Sequence, residues 1–356
     1  MIGSRLKLAR AAAGVSLREL EERLGHLVTA QAIGKYERDE MMPSSEVLMA
    51  LARALEVSED YLLKSDSVRL VGVDFRKQKL DAAKDRARVE SQILRAVERY
   101  LEVEDLLALQ NEWALPKGFP RRVRKPEDVE EAASAVRKEW MLGVDPIPSL
   151  AEFLEERAIK IISVALPEKV SGVKASVKKA SGDEVQVIVL NADHPGERQR
   201  FTLAHELGHL LLQAGDEAEP YCNRFAGAFL VPAAALRAEL GDNRTSVSMR
   251  ELFSLKQLFG VSVQALAYRA ADLGIFGARL KKSLFIQFGK EGWRKEEPRA
   301  IAKEQPLRFK RLCLRALSEE VISASRAAEL LEENTRDLLA SLNQPPQLRD
   351  GPSPGV

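Results

Sequence analysis

Cysteine is almost absent. Cys222 and Cys313 are the only two in 356 residues, which excludes a disulfide-built scaffold and a cysteine-rich zinc module and fits a reducing, cytoplasmic setting. Charge of one sign is missing too: 54 Lys and Arg stand against 53 Asp and Glu, a net charge of +1. A chain coated with basic residues for nucleic acid is thereby excluded, although a local DNA-reading face is not. There is no long hydrophobic run. The stretch Val185–Leu190 is interrupted by Gln186 and falls far short of the ~20 apolar residues that cross a bilayer, so no membrane partner is expected. The N-terminal MIGSRLKLARAAAG lacks the apolar core of a signal peptide. Histidine is scarce as well, with four in the chain. Of His26, His194, His205 and His209, the last two sit four residues apart around Glu206.

What is present is enough apolar material, 45% of residues, for two or three domains. Residues 1–65 read as five short helices. Ile2–Ala13 is amphipathic and Gly14 ends it. Ser16 with Glu19 forms a capping box for Leu17–Leu24, Thr29 caps Ala30–Arg38, and Ser45–Leu55 and a short helix to Leu63 follow. This is the layout of a helix-turn-helix, whose second helix enters the major groove. Thr29, Gln31, Lys35 and Arg38 then lie on the DNA-facing side. Gln31 is suited to pair bidentately with adenine, and Lys35 or Arg38 to meet phosphate or guanine. Nine basic and ten acidic residues in 1–64 give this face little electrostatic help, so a helical bundle for protein contact is the alternative.

Residues 66–125 read as a strand, 68–76, and a long charged connecting helix ended by Pro116–Pro120. Residues 126–245 form a core with helices at Pro126–Trp140, Ser149–Arg157, Arg198–Gln213 and Ala218–Leu230, and strands at Ile159–Val164 and Val185–Leu190. The polar VSGVKASVKKASGD between those strands reads as a hairpin-like region. Residues 246–340 read as further helices, with twelve Lys and Arg against four Asp and Glu over 279–315, and 341–356 as a disordered tail. The fold class is α+β and mostly helical, with a small sheet.

His205-Glu206-Leu207-Gly208-His209 fits H-E-x-x-H. Positions i and i+4 share a helical face, so both imidazoles reach one ion while the glutamate polarises water beside it. The flanking Phe201, Leu203, Ala204, Leu207, Leu210 and Leu211 make this a buried helix, where two histidines and a glutamate without a metal leave polar groups unsatisfied. A catalytic zinc usually takes three protein ligands. The next helix offers Glu219, with Asp216, Glu217 and Cys222 as competitors. Tyr221 and His194 are the candidates for an oxyanion helper, against plain packing and loop roles. An exposed edge on Val185–Asn191 could hold an extended substrate by backbone pairing; an ordinary core strand is the equal alternative.

Two resemblances follow from these residues. VTAQAIGKYERDEMMPSSEVLMALARALEVSEDYLL resembles the XRE (Cro/C1-type) helix-turn-helix family, departing from it by His26-Leu27 in the turn and by Ala30 where glutamine is common. Over 126–300, ERQRFTLAHELGHLLL and Glu219–Pro232 resemble the ImmA/IrrE metallopeptidases. That resemblance implies a zincin-like fold, His205, His209 and Glu219 as metal ligands, Glu206 as catalytic base, and zinc as the metal with manganese as alternative. It also implies an XRE-type repressor as substrate, a partner or the chain itself, cut to relieve repression in a stress or mobile-element response. Operator DNA and a second copy of the chain are the other expected partners. The competing expectation is a non-proteolytic XRE repressor or antitoxin-like regulator whose metal domain senses or supports.

Overall fold

Hydroxyl caps set the helices of the N-terminal segment. In the computed structural model, which describes residues 2–63, 68–71, 83–110, 112–179, 181–294 and 296–343, α1 (Gly3–Ala12) is followed by α2 (Leu17–Arg23), α3 (Ala30–Glu37), α4 (Ser45–Ala54) and α5 (Glu59–Leu63). The Ser16–Glu19 capping box forms as expected, and Thr29 and Ser44 accept from the third amides of α3 and α4. Leu6, Leu20, Ile33, Leu51 and Leu62 close a core of their own. The turn before α3 runs through Gly25 and His26, both at positive φ. Glu21 reaches across it, accepting from the Ala30 amide at 2.9 Å and facing His26 Nδ1 at 3.3 Å. The two extra turn residues are accommodated there.

β1 (Val68–Val71) and α6 (Ala83–Leu106) follow. Of the expected strand 68–76, residues 72–76 lie outside the described residues, as do 77–82 of the expected helix and 344–356 of the expected tail. Next come β2 (Arg121–Arg122), α7 (Pro126–Glu139), α8 (Leu150–Glu155), β3 (Lys160–Val164), β4 (Gly172–Lys179), β5 (Glu184–Asn191), α9 (Gly196–Leu211), β6 (Leu212–Gln213) and α10 (Ala218–Leu230). The chain continues with α11 (Ala233–Leu240), α12 (Met249–Phe259), α13 (Val263–Asp272), α14 (Ala278–Lys290), α15 (Arg308–Ser318), α16 (Ala324–Leu331) and α17 (Thr335–Asn343). The protein is α+β and mostly helical.

The main sheet has the order β1-β4-β5-β3. β4 runs antiparallel to β1 and β5, with Val71 opposite Ser176 and Lys174 opposite Ile188, and β3 is parallel to β5. One expectation is met in part and one is corrected. The polar, hairpin-like segment after Val170 supplies the full strand β4, which turns back antiparallel onto β5; Val173, Ala175 and Val177 are buried at period two, with Lys174 and Ser176 between them. β5 is an interior strand paired on both sides, so it offers no edge to a substrate. β5 packs with α7, α9, α10 and α12–α14 into one large core.

The chain forms two compact units. Among the described residues, those within 2–96 and 112–306 supply one; 97–110 and 307–343 supply the other. In the second, Tyr100 and Val103 pack with Leu312, Cys313, Ala316, Ala327 and Leu338, and Tyr100 stacks on Phe309 at 5.4 Å. β1, read as part of a connector, belongs to the sheet, and 246–306 belongs to the core rather than to a separate helical region with 307–340. No helix among the described residues is long and apolar enough to cross a membrane.

Candidate metal centre

α9 is held rigidly at its start. Glu197 on its first turn bonds the Lys256 ammonium at 2.8 Å, and Lys256, fully buried, also bonds Glu297 at 3.0 Å. Arg200 donates to Glu304 at 2.6 Å and to the Ile147 and Pro148 carbonyls. Gln199 ties the helix to β5 through the Asn191 carbonyl, 2.9 Å, and to the Glu304 amide, 3.0 Å. Gly196 has no room for a side chain, since a Cβ there would sit 2.2 Å from the Ala302 carbonyl oxygen.

At the other end, α9 meets α10 across Gly208, where a Cβ would lie 3.3 Å from Cys222 Cα, Cβ and Sγ. The close approach brings Glu219 to the two histidines. His205 Nε2 and His209 Nε2 are 3.1 Å apart, and the Glu219 oxygens lie 3.4 Å from each. All three ligand atoms fall within 4.8 Å of one another. Four-coordinate zinc with bonds near 2.0–2.1 Å spaces neighbouring ligand atoms about 3.3 Å apart, so these donors fit such an ion. The tautomer fits as well. Asn223 Oδ1 lies 3.0 Å from His205 Nδ1; a proton on Nδ1 leaves the Nε2 lone pair for the metal. Burial lowers the His205 pKa, opposed by Glu219 and Asn223, which favours the neutral, ligating imidazole.

Glu206, between the two histidines in sequence, is 3% exposed and bonds the Lys174 amide of β4. Burial, then the Glu219 charge, pushes its pKa up to about 7; the Lys174 charge and amide oppose this. Lys174 Nζ lies 3.4 Å from the His209 carbonyl oxygen. The strand beside the site is thus β4, where the sequence pointed to β5.

The two candidates for an oxyanion helper each bond a backbone carbonyl. Tyr221 donates to the Arg124 carbonyl at 2.7 Å. His194 Nε2 meets the Glu168 carbonyl at 3.0 Å, and it precedes α9, whose rise of 1.5 Å per residue sets Gly196 about 14 Å from His205. Sequence reasoning missed Asn223, Lys174 and the role of Gly208. Asn223 had a signal, being four residues after Glu219 on the same helical face. Lys174 had none, because only the fold brings β4 to α9.

In the N-terminal segment, Gln31, Lys35 and Arg38 lie exposed along one face of α3, at i, i+4 and i+7, while Ile33 and Tyr36 are buried. Thr29 is spent on the Ala32 amide, 3.2 Å, and Arg38 is paired bidentately with Glu40 at 2.6 and 3.0 Å.

Comparison with known proteins agrees with both segments. Residues 159–271 match the family described as the IrrE N-terminal-like domain, peptidase M78, and residues 6–62 match the helix-turn-helix family. The chain thus joins an XRE-type helix-turn-helix segment to an ImmA/IrrE-like segment. Among curated proteins it is similar to the HTH-type transcriptional regulator ImmR of Bacillus subtilis, 39% identical over 67 residues, which is 19% of this chain and 51% of that protein. It is also similar to the SPbeta prophage-derived uncharacterized HTH-type transcriptional regulator YonR of the same organism, 41% identical over 64 residues, 18% of this chain and 57% of that protein. The chain spans about half the length of the curated relatives it matches.

Proposed function

We propose that this protein is a cytoplasmic DNA-binding transcriptional regulator that also cuts a protein, as a zinc-dependent endopeptidase. The observation that carries the reading is the convergence of His205, His209 and Glu219 beside a buried Glu206, on a segment that matches a peptidase family. Bound zinc, or manganese as the alternative for this donor set, supplies a Lewis acid that polarises the scissile carbonyl. The residues do the rest. Asn223 orients His205, Glu206 takes the proton of the attacking water, and the same carboxyl passes it to the leaving amine nitrogen as the C–N bond breaks. The favoured substrate is an XRE-type repressor, a partner or this chain itself, cut to relieve repression in a stress or mobile-element response. The helix-turn-helix brings the protein to operator DNA through Gln31, Lys35 and Arg38, with Thr29 fixing the start of α3, and two copies on paired half-sites are the natural arrangement.

Glu206→Gln tests the peptidase reading. It retains the zinc of the wild type and abolishes fragments from a co-expressed XRE repressor. Identical fragments from both proteins, or no cleavage under any condition tried, reject it. A second reading is a non-proteolytic regulator whose metal segment senses or supports. It is favoured by the complete, separately cored helix-turn-helix and by relatives whose names are those of transcriptional regulators. Operator affinity that depends on zinc while no protein is cut supports this one.

A further inference from the structure

A cavity of about 1,110 Å³ lies between α9, α10, α13 and the chain after α14. Four rings line it, those of Phe201, Tyr221, Tyr268 and Trp293. Its position relative to the metal ligands follows from helix geometry. Phe201 stands four residues before His205, one turn back on the same face of α9. Asn223, whose Oδ1 meets His205 Nδ1 at 3.0 Å, is itself part of the cavity wall. A molecule seated here touches the group that orients a metal-site imidazole.

The charges of the wall indicate what it takes. Five basic side chains line it against five acidic ones, so it shows no excess of either sign. Most are already engaged: Glu197 and Glu297 with Lys256, Arg269 with Glu130, and Arg198 with Ser171 Oγ. Arg224 lies 3.2 Å from Glu130 and 3.5 Å from Asp272. An ionic ligand gains little from such a wall, whereas an uncharged group packs on its rings. The volume exceeds the roughly 300–1,000 Å³ of ordinary small-molecule pockets, which is room for more than one side chain.

We propose that this cavity is a substrate subsite that receives an uncharged stretch of polypeptide, rich in aromatic or aliphatic side chains, next to the bond to be cut. It rests on the peptidase reading for the identity of its occupant as substrate. Fluorescein-labelled decapeptides with a Gly-Ser frame and a central pair of Phe, Leu, Lys or Asp are the probes, used with the full chain, metal-free and zinc-loaded. The Phe and Leu peptides bind the metal-free chain at least tenfold more tightly than the Lys and Asp peptides. Ala265→Trp, which fills the space, and Tyr268→Ala, which removes a ring, each weaken that binding tenfold or more while zinc content stays at the wild-type level. In cleavage the loss appears in KM, with kcat kept. Equal binding of all four peptides, or wild-type binding by both variants, overturns the proposal. If the Phe and Leu preference is found but neither peptide nor repressor is ever cut, the apolar peptide site stands and the peptidase reading fails. If cutting occurs with no such preference, the cavity assignment alone falls.

Discussion

Glu206 is the residue at which burial and chemistry conflict most. Its pKa is raised from 4.5 to about 7, so the folded protein holds this proton more tightly than the unfolded chain does. The sign follows: in the metal-free protein the resulting stability is complete below pH 4.5 and is lost as the pH rises through about 7. The shift corresponds to a ceiling of about 3 kcal/mol. Thermal melts of metal-stripped protein across this window should show stability falling with pH, and Glu206→Gln should flatten the slope. An unchanged slope in the variant removes Glu206 as its source. The H-E-x-x-H spacing made His205, Glu206 and His209 legible without coordinates, and a carboxylate on the following amphipathic helix made Glu219 a candidate. For an oxyanion helper the sequence offers Tyr221 and His194 without any geometry; in the fold they bind the Arg124 and Glu168 carbonyls.

At the scale of elements, the contact of α9 with α10 sets the metal triad. Gly208 lets Cys222 approach, and Glu219 sits one turn before Cys222 on α10. Gly208→Val should push the helices apart, lowering zinc affinity about tenfold or more, the range for lost support of a ligand, with the helical circular dichroism retained. Wild-type zinc affinity would show that α9 and α10 do not need this contact. The helices themselves were readable because their caps are local: Ser16, Thr29, Ser44, Ser149, Ser248 and Ser262 each bond an amide three residues on. The sheet was not readable in the same way. β4 carries three lysines among its apolar residues and so reads as a polar, hairpin-like stretch; its antiparallel pairing with β5 is local, whereas β1 on β4 and β3 beside β5 are brought in from further along the chain.

At the scale of the whole molecule, two segments with separate cores share one chain, and their chemistry should separate by mutation. Gln31→Ala is expected to weaken DNA binding at particular base positions while leaving protein cleavage intact, and Glu206→Gln to do the reverse. Operator binding and repressor cleavage measured on the same preparations check this; a Gln31→Ala protein with unchanged operator affinity and sequence preference removes that residue as a base reader. The core that holds α9 has its own central support in Lys256, which satisfies two carboxylates away from water. Lys256→Met leaves Glu197 and Glu297 buried without it, and urea unfolding should register a loss of about 3–5 kcal/mol. A loss below 1 kcal/mol would mean that these acids find other partners.

The segment from Glu297 to Glu304 carries a practical consequence for anyone shortening the protein. The region matching the IrrE-like family closes at residue 271. Glu297 and Glu304 nevertheless reach back to Lys256, to Arg200 and to the first amides of α8 and α13. A fragment cut at the family boundary would leave Arg200 and Lys256 short of carboxylate partners and the front end of α9 uncovered. A piece intended to present its two histidines as the full chain does is therefore expected to need the chain through Glu304.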